Sequence, residues 1–107
     1  MSEADLYNVI RLAVTEHGGR VFRNNVGLFT TDHGTKIMTG LCEGSSDLIG
    51  WTKLGRFLAI EVKSPTGKLT KEQLAFLKAV IASGGVGIVA RSVKDVTDVL
   101  RGELWAT

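Results

Sequence analysis

The chain has 107 residues, 44% of them hydrophobic and 22% charged, with a net charge of +2 and an isoelectric point near 8.9. That balance excludes extended disorder and fits one modest core spanning residues 1–107 as a single domain. A near-neutral charge permits a polyanionic partner without demanding one, so any basic surface must come from local clustering. The single cysteine, Cys42, excludes an internal disulfide and a cysteine-based zinc site, and suits a reducing cytoplasm. No stretch has the length or apolarity of a membrane span or a signal-peptide core, so the expectation is a protein without a membrane partner.

Ser2 can cap a first helix whose Leu6, Val9, Ile10, Ala13 and Val14 repeat at three-and-four spacing, ended by Gly18-Gly19. Glu3 falls in its first turn, where the helix dipole favours any carboxylate. Arg20-Val21-Phe22-Arg23-Asn24 reads as a short strand. Arg23-Asn24 can meet a phosphate, but Asn24-Asn25 with Gly27 also has the chemistry of a plain turn. Residues 26–44 carry no sustained period and read as a loop or irregular hairpin. Asp32-His33 within them is a weak metal pair, since no second ligand cluster accompanies it.

Asp47-Leu48-Ile49-Gly50-Trp51 and Phe57-Leu58-Ala59-Ile60-Glu61-Val62-Lys63 read as two strands of a hairpin turning through Thr52-Lys53-Leu54-Gly55. On the second strand Leu58, Ile60 and Val62 share one face, while Phe57, Ala59, Glu61 and Lys63 share the other. Antiparallel pairing brings the start of the first strand to the end of the second, so Asp47 should meet Glu61 and Lys63. Thr70-x-x-Gln73 is a capping box opening a second helix with Leu74, Leu77 and Val80, ended by Gly84-Gly85. Val86 to Ala90 is a strand buried on both faces, and Ser92-x-x-Asp95 opens a third helix ended at Gly102. Arg91 falls at that strand-to-helix junction, where a phosphate is a suitable partner. Leu104-Trp105 can cover the core or meet a second subunit.

The element order predicts an α/β fold, a mixed sheet between helices, with the last strand parallel to its neighbour through a right-handed crossover. Two carboxylates at a strand end suit a hard divalent cation such as Mg²⁺ or Mn²⁺. Taken alone, Glu61-Val62-Lys63 could equally be a surface ion pair.

An Asp followed by Glu-x-Lys at the end of the next strand resembles the PD-(D/E)xK nuclease superfamily, here Ser46-Asp47 without the preceding proline, then Glu61-Val62-Lys63. Within it the chain is similar to a stand-alone VRR-NUC domain of phage type, through Glu3, Arg23-Asn24, Gly44-x-x-Asp47, Glu61-x-Lys63 and Gln73. The family's Val-Arg-Arg signature stands here as Val89-Ala90-Arg91, which puts substrate grip in question. The resemblance implies a restriction-endonuclease-like α/β/α sandwich and a metal-dependent endonuclease for branched DNA. It further implies a Holliday-junction-resolvase-like homodimer in the cytoplasm, of the host if phage-encoded. Alternatives are a flap or nicking nuclease, or an inactive nucleic-acid-binding module. It implies Asp47, Glu61, Lys63 and Gln73 as catalytic groups. Asp47, Glu61, the Val62 carbonyl and, more loosely, Glu3 would be the ligands of Mg²⁺ or Mn²⁺. Arg23, Asn24, Lys68 and Arg91 would contact DNA. For Gln73 the cap and the water- or phosphate-holding role compete, as one amide can hardly serve both.

Overall fold

A strongly apolar strand flanked by helices that begin at its carboxyl end sets the architecture, seen in a computed structural model that describes residues 2–105, with the side chains of residues 104 and 105 outside that description. Helix α1 spans Glu3–Glu16 and strand β1 Arg20–Arg23; strands β2 (Gly27–Thr30) and β3 (Lys36–Thr39) follow. Strands β4 (Leu48–Trp51) and β5 (Phe57–Val62) precede helix α2 (Lys71–Ala82), strand β6 (Val86–Ala90) and helix α3 (Val93–Trp105). The main sheet has the order β1-β4-β5-β6, and β2 with β3 forms a separate two-stranded sheet.

The central strands pair as the sequence predicts. β4 and β5 are antiparallel with Leu48 opposite Ile60 and Trp51 opposite Phe57, whereas β5 and β6 run parallel with Val62 opposite Ala90. Alternation then divides the core. Leu58, Ile60 and Val62 pack with Ile10, Val14, Val96 and Leu100 beneath α1 and α3, and Ala59 packs with Leu77 and Val80 beneath α2. This is a mixed sheet with helices on both faces, the α/β sandwich expected of a restriction-endonuclease-like fold.

Local chemistry explains the boundaries. Ser2 and Asp5 form a capping box at α1, Thr70 and Gln73 another at α2, and each satisfies backbone N–H groups that the first helical turn leaves free. Gly18 and Gly84 take the positive φ that ends α1 and α2. Gly102, expected to end α3, does not. The helix continues to Trp105, a glycine inside a helix costing only about 1 kcal/mol, and Glu103 one residue later is buried with its carboxylate 3.6 Å from Arg56. The expected role of Leu104 and Trp105 falls on side chains outside the described residues.

Residues 26–44, unreadable by period, contain the β2–β3 hairpin, with Leu28 opposite Met38 and Phe29 opposite Ile37. Asp32 and His33 sit in its exposed tip. No group of three or more His, Cys, Asp or Glu side chains that could hold a metal occurs among the described residues. No helix is long and apolar enough to cross a membrane among the described residues.

Candidate active site

The topology brings three helix starts to one end of the sheet. Parallel β5 and β6 both finish there, so α2 and α3 begin there; β1, antiparallel to β4, also finishes there, so α1 begins there. Helix N-termini carry partial positive charge and free N–H groups, which makes this end hospitable to anions.

Asp47 and Glu61 meet at this end. The Val62 N–H donates to Asp47 Oδ2 at 2.9 Å, which fixes the aspartate against the last residue of β5. Glu61 is 2% exposed. Its Oε1 accepts from Gln73 Nε2 at 3.1 Å and lies 4.0 Å from Lys63 Nζ, while its Oε2 is buried with no hydrogen-bond partner. Burial and the adjacent Asp47 carboxylate push the Glu61 pKa up to about 8, against the opposing pull of Lys63. A buried, ionised carboxylate with one idle oxygen is costly, and the cost is met either by a proton shared toward Asp47 or by a cation.

Gln73 uses both ends of its amide. Its Oε1 accepts from the Thr70 N–H at 2.9 Å while its Nε2 donates to Glu61. An amide has an acceptor end and a donor end, so the helix cap and the site share one side chain.

Asn24 and Gly44 shape the approach to Asp47. Asn24 Nδ2 donates to Ser45 Oγ at 2.8 Å and to the Ser46 carbonyl at 2.9 Å, its Oδ1 accepts from the Leu41 N–H at 3.0 Å, and its own N–H donates to the Asp47 carbonyl at 2.8 Å. It ties the end of β1 to the segment that delivers Asp47, and its amide is occupied in doing so. Gly44 has φ +82°, and a Cβ there would stand 2.6 Å from the Glu72 backbone carbon. Only glycine lets this loop press on the first turn of α2.

Tyr7 is the site residue that sequence reasoning missed. It is buried against the core with its hydroxyl 3.5 Å from Glu3 Oε1, and the Arg23 guanidinium lies 4.0 Å from its ring centroid. Burial, then Asp47 beside the hydroxyl, raise its pKa well beyond the ordinary tyrosine value, so it remains a donor. Its position one turn after Glu3, on the apolar face of α1, was the available signal.

Two clefts flank the carboxylates. One, about 480 Å³, is walled by Glu3, Leu6, Lys63, Pro65, Arg91 and Val93; the other, about 600 Å³, by Arg23, Val26, Phe29, Gly44, Asp47 and Gln73. Glu3 is exposed at the first and Arg23 at the rim of the second. Arg91 Nη1 donates to the carbonyls of Ser64 and Gly67, both at 2.6 Å, and so holds the loop that follows Lys63. Lys68 lies on that loop, exposed and without a hydrogen bond or ion pair among the described residues. Ala90, where the signature has its other arginine, is fully buried between the sheet and α1 and α3. An arginine here would have to be desolvated, so the alanine removes no surface contact from this fold.

A mixed sheet with Asp47 entering one strand and Glu61-Val62-Lys63 leaving the next has the arrangement found in nucleases of the PD-(D/E)xK type. The family model of the VRR-NUC domain matches residues 13–94, and the chain belongs to that family. It is therefore a nuclease domain, a hydrolase whose partner is DNA, from a family that typically uses divalent metals. No curated protein matches the chain.

Proposed function

We propose that this protein is a divalent-cation-dependent, structure-selective endodeoxyribonuclease, with Mg²⁺ or Mn²⁺ as cofactor and branched DNA, above all four-way junctions, as substrate. It acts as a homodimer in the cytoplasm, the 107 residues forming one nuclease domain. The observation that carries the reading is the partnerless buried Oε2 of Glu61 beside Asp47.

The residues present fit a hard cation. Asp47, Glu61 and the Val62 carbonyl are the oxygen donors that would hold it, with Glu3 at the margin, and Mg²⁺ keeps waters in place of further protein ligands. When bound, the ion supplies Lewis-acid compensation for charge on the phosphorus and a lowered pKa for the attacking water.

Every other role belongs to the chain. Lys63, 19% exposed at its side chain, presents a compact ammonium that orients the attacking water and stabilises the charge developing on the phosphoryl oxygens. Gln73 keeps Glu61 turned toward Asp47 through its donated N–H. Arg23 over Tyr7 and Arg91 at the opposite cleft grip phosphates either side of the scissile bond, and Lys68 extends that grip; such contacts set position without reading sequence. Asn24 acts by holding the Asp47 segment.

The test is cleavage of labelled four-way junction, flap and linear duplex by wild type and Lys63→Ala, with Mg²⁺, Mn²⁺ or chelator. Paired symmetric cuts in the junction that vanish with chelator and in the variant support the reading. Metal-independent cutting, or activity untouched by the substitution, overturns the site; a preference for flaps or nicks overturns the junction assignment; binding without cutting makes the protein an inactive module.

A further inference from the structure

The β2–β3 hairpin is an arm without a seat. Its strands pair only with each other, no other element packs extensively on it among the described residues, and a lone two-stranded hairpin is marginal in water. Leu28 with Met38 occupies one face and Phe29 with Ile37 the other, since opposite residues share a face. All four are 46–60% exposed. Between residues 26 and 41 the only basic side chain besides His33 is Lys36, offset by Asp32, whereas a DNA-gripping wing needs several Lys or Arg.

The main sheet has a seat without an arm. On its α2 side that helix packs on β5 and β6, which leaves β1 and β4 open. Phe22 on β1 and Trp51 on β4 stand there beside Phe57 at the start of β5, 53%, 48% and 44% exposed. The Phe22 and Trp51 rings are 5.8 Å apart, and Trp51 is directly opposite Phe57. A contiguous aromatic strip of this kind marks a contact surface.

We propose that the hairpin of one copy lies on the Phe22–Trp51–Phe57 strip of a second copy, and reciprocally, so that two exchanged arms close a two-fold dimer. An isologous interface must be self-complementary, and one chain here carries both an uncovered apolar arm and an uncovered apolar strip. Seated by its Leu28–Met38 face, the arm and the strip together expose roughly 550 Å² of apolar surface per copy, so two seated arms bury up to about 1,100 Å², at the low end of specific interfaces. The arm leaves the body at Asn24, and Phe29 lines the cleft of Asp47 and Gln73. Seating it therefore fixes the spacing of two active sites. The assignment rests on the dimeric part of the function proposed above and supplies the surface through which that dimer forms.

Association is measured by sedimentation equilibrium in chelator without DNA, so it is independent of catalysis. Wild type sediments as a dimer. Leu28→Glu/Met38→Glu on the arm and Trp51→Lys on the strip each raise the dissociation constant at least 100-fold, and an equimolar mixture of the two recovers a heterodimer. In that heterodimer one native arm meets a native strip, while the new carboxylates face the new ammonium. Leu28→Thr/Met38→Thr, which favours strand without adding charge, also dissociates while keeping the wild-type circular dichroism. A monomeric wild type, a variant that remains dimeric, or a mixture that stays monomeric overturns the proposal. So does a dimeric arm variant that has lost only junction binding, which would make the hairpin a wedge for DNA. A dimer closed by these arms that cuts no DNA removes the nuclease mechanism and leaves the interface standing; a junction-cutting dimer indifferent to both variants does the reverse.

Discussion

Gln73 and Glu61 are joined by a 3.1 Å hydrogen bond, although they stand twelve positions and a loop apart, and the same glutamine closes the cap of α2 through its other amide atom. Helix start and the carboxylate of the proposed site are thereby one unit. Gln73→Glu separates its two functions. A carboxylate can still accept from the Thr70 N–H, so stability falls little, but an anion replaces the donor facing Glu61. Cleavage is expected to drop about 10- to 100-fold, the usual cost of losing the partner that orients a metal ligand. Gln73→Ala loses both, with a further destabilisation of about 1 kcal/mol from the open cap. Single-turnover cleavage and thermal melts of the two variants check this; equal activity in Gln73→Glu and wild type refutes the coupling.

The Lys63 ammonium is 4.0 Å from Glu61 Oε1 and outside the set of oxygen donors. Lys63→Ala is expected to lower cleavage by about 10²-fold or more, on the scale of a lost transition-state charge partner, while Mg²⁺ still raises the melting temperature. Asp47→Asn, by contrast, abolishes both cleavage and the Mg²⁺-induced shift. Differential scanning fluorimetry with and without Mg²⁺ separates the two classes.

Glu61 gives the metal-free protein a pH signature. Its folded pKa, about 8, is above the ordinary value of 4.5, so between these values the folded state holds a proton that the unfolded state has released. Stability from this group is present below about pH 4.5 and is lost as pH rises toward 8. Metal-free protein should melt lower at pH 8 than at pH 6, and Glu61→Gln should reverse that loss by about 4–8 °C or more. Because a cation must displace the proton, Mn²⁺ affinity should strengthen from pH 6 to 8 by up to about tenfold per unit. Calorimetry across that range is the check; a pH-independent affinity would contradict the assignment of Glu61 as a ligand.

Tyr7 couples the first helix to the acidic pair. Tyr7→Phe retains the ring beneath Arg23 and removes the donor beside Asp47, so it should fold normally and lose about tenfold in cleavage with DNA affinity unchanged. Tyr7→Leu also frees Arg23 from a cation–π contact worth about 0.5–1 kcal/mol, and DNA binding weakens as well. Affinity and single-turnover rate, measured on both variants, distinguish the hydroxyl from the ring.

The sequence by itself determined the elements whose causes are local. Alternation on Phe57–Val62, the capping boxes at Thr70 and Ser92 and the turn at Thr52–Gly55 predict the strands and helix starts, and antiparallel pairing alone brings Asp47 to Glu61. Tertiary structure decided what depends on distance in the chain. The burial of Glu61, its idle oxygen and its raised pKa come from α2 closing over the end of β5. Asn24 is a latch because the residues it holds are seventeen to twenty-three positions away. Tyr7 entered the site when α1 folded back on β1, and Ala90 proved to be core because β6 lies between β5 and α3. The hairpin within 26–44 had no readable period because neither of its faces is buried by its own chain, and a pattern that reports burial is silent where burial must come from elsewhere.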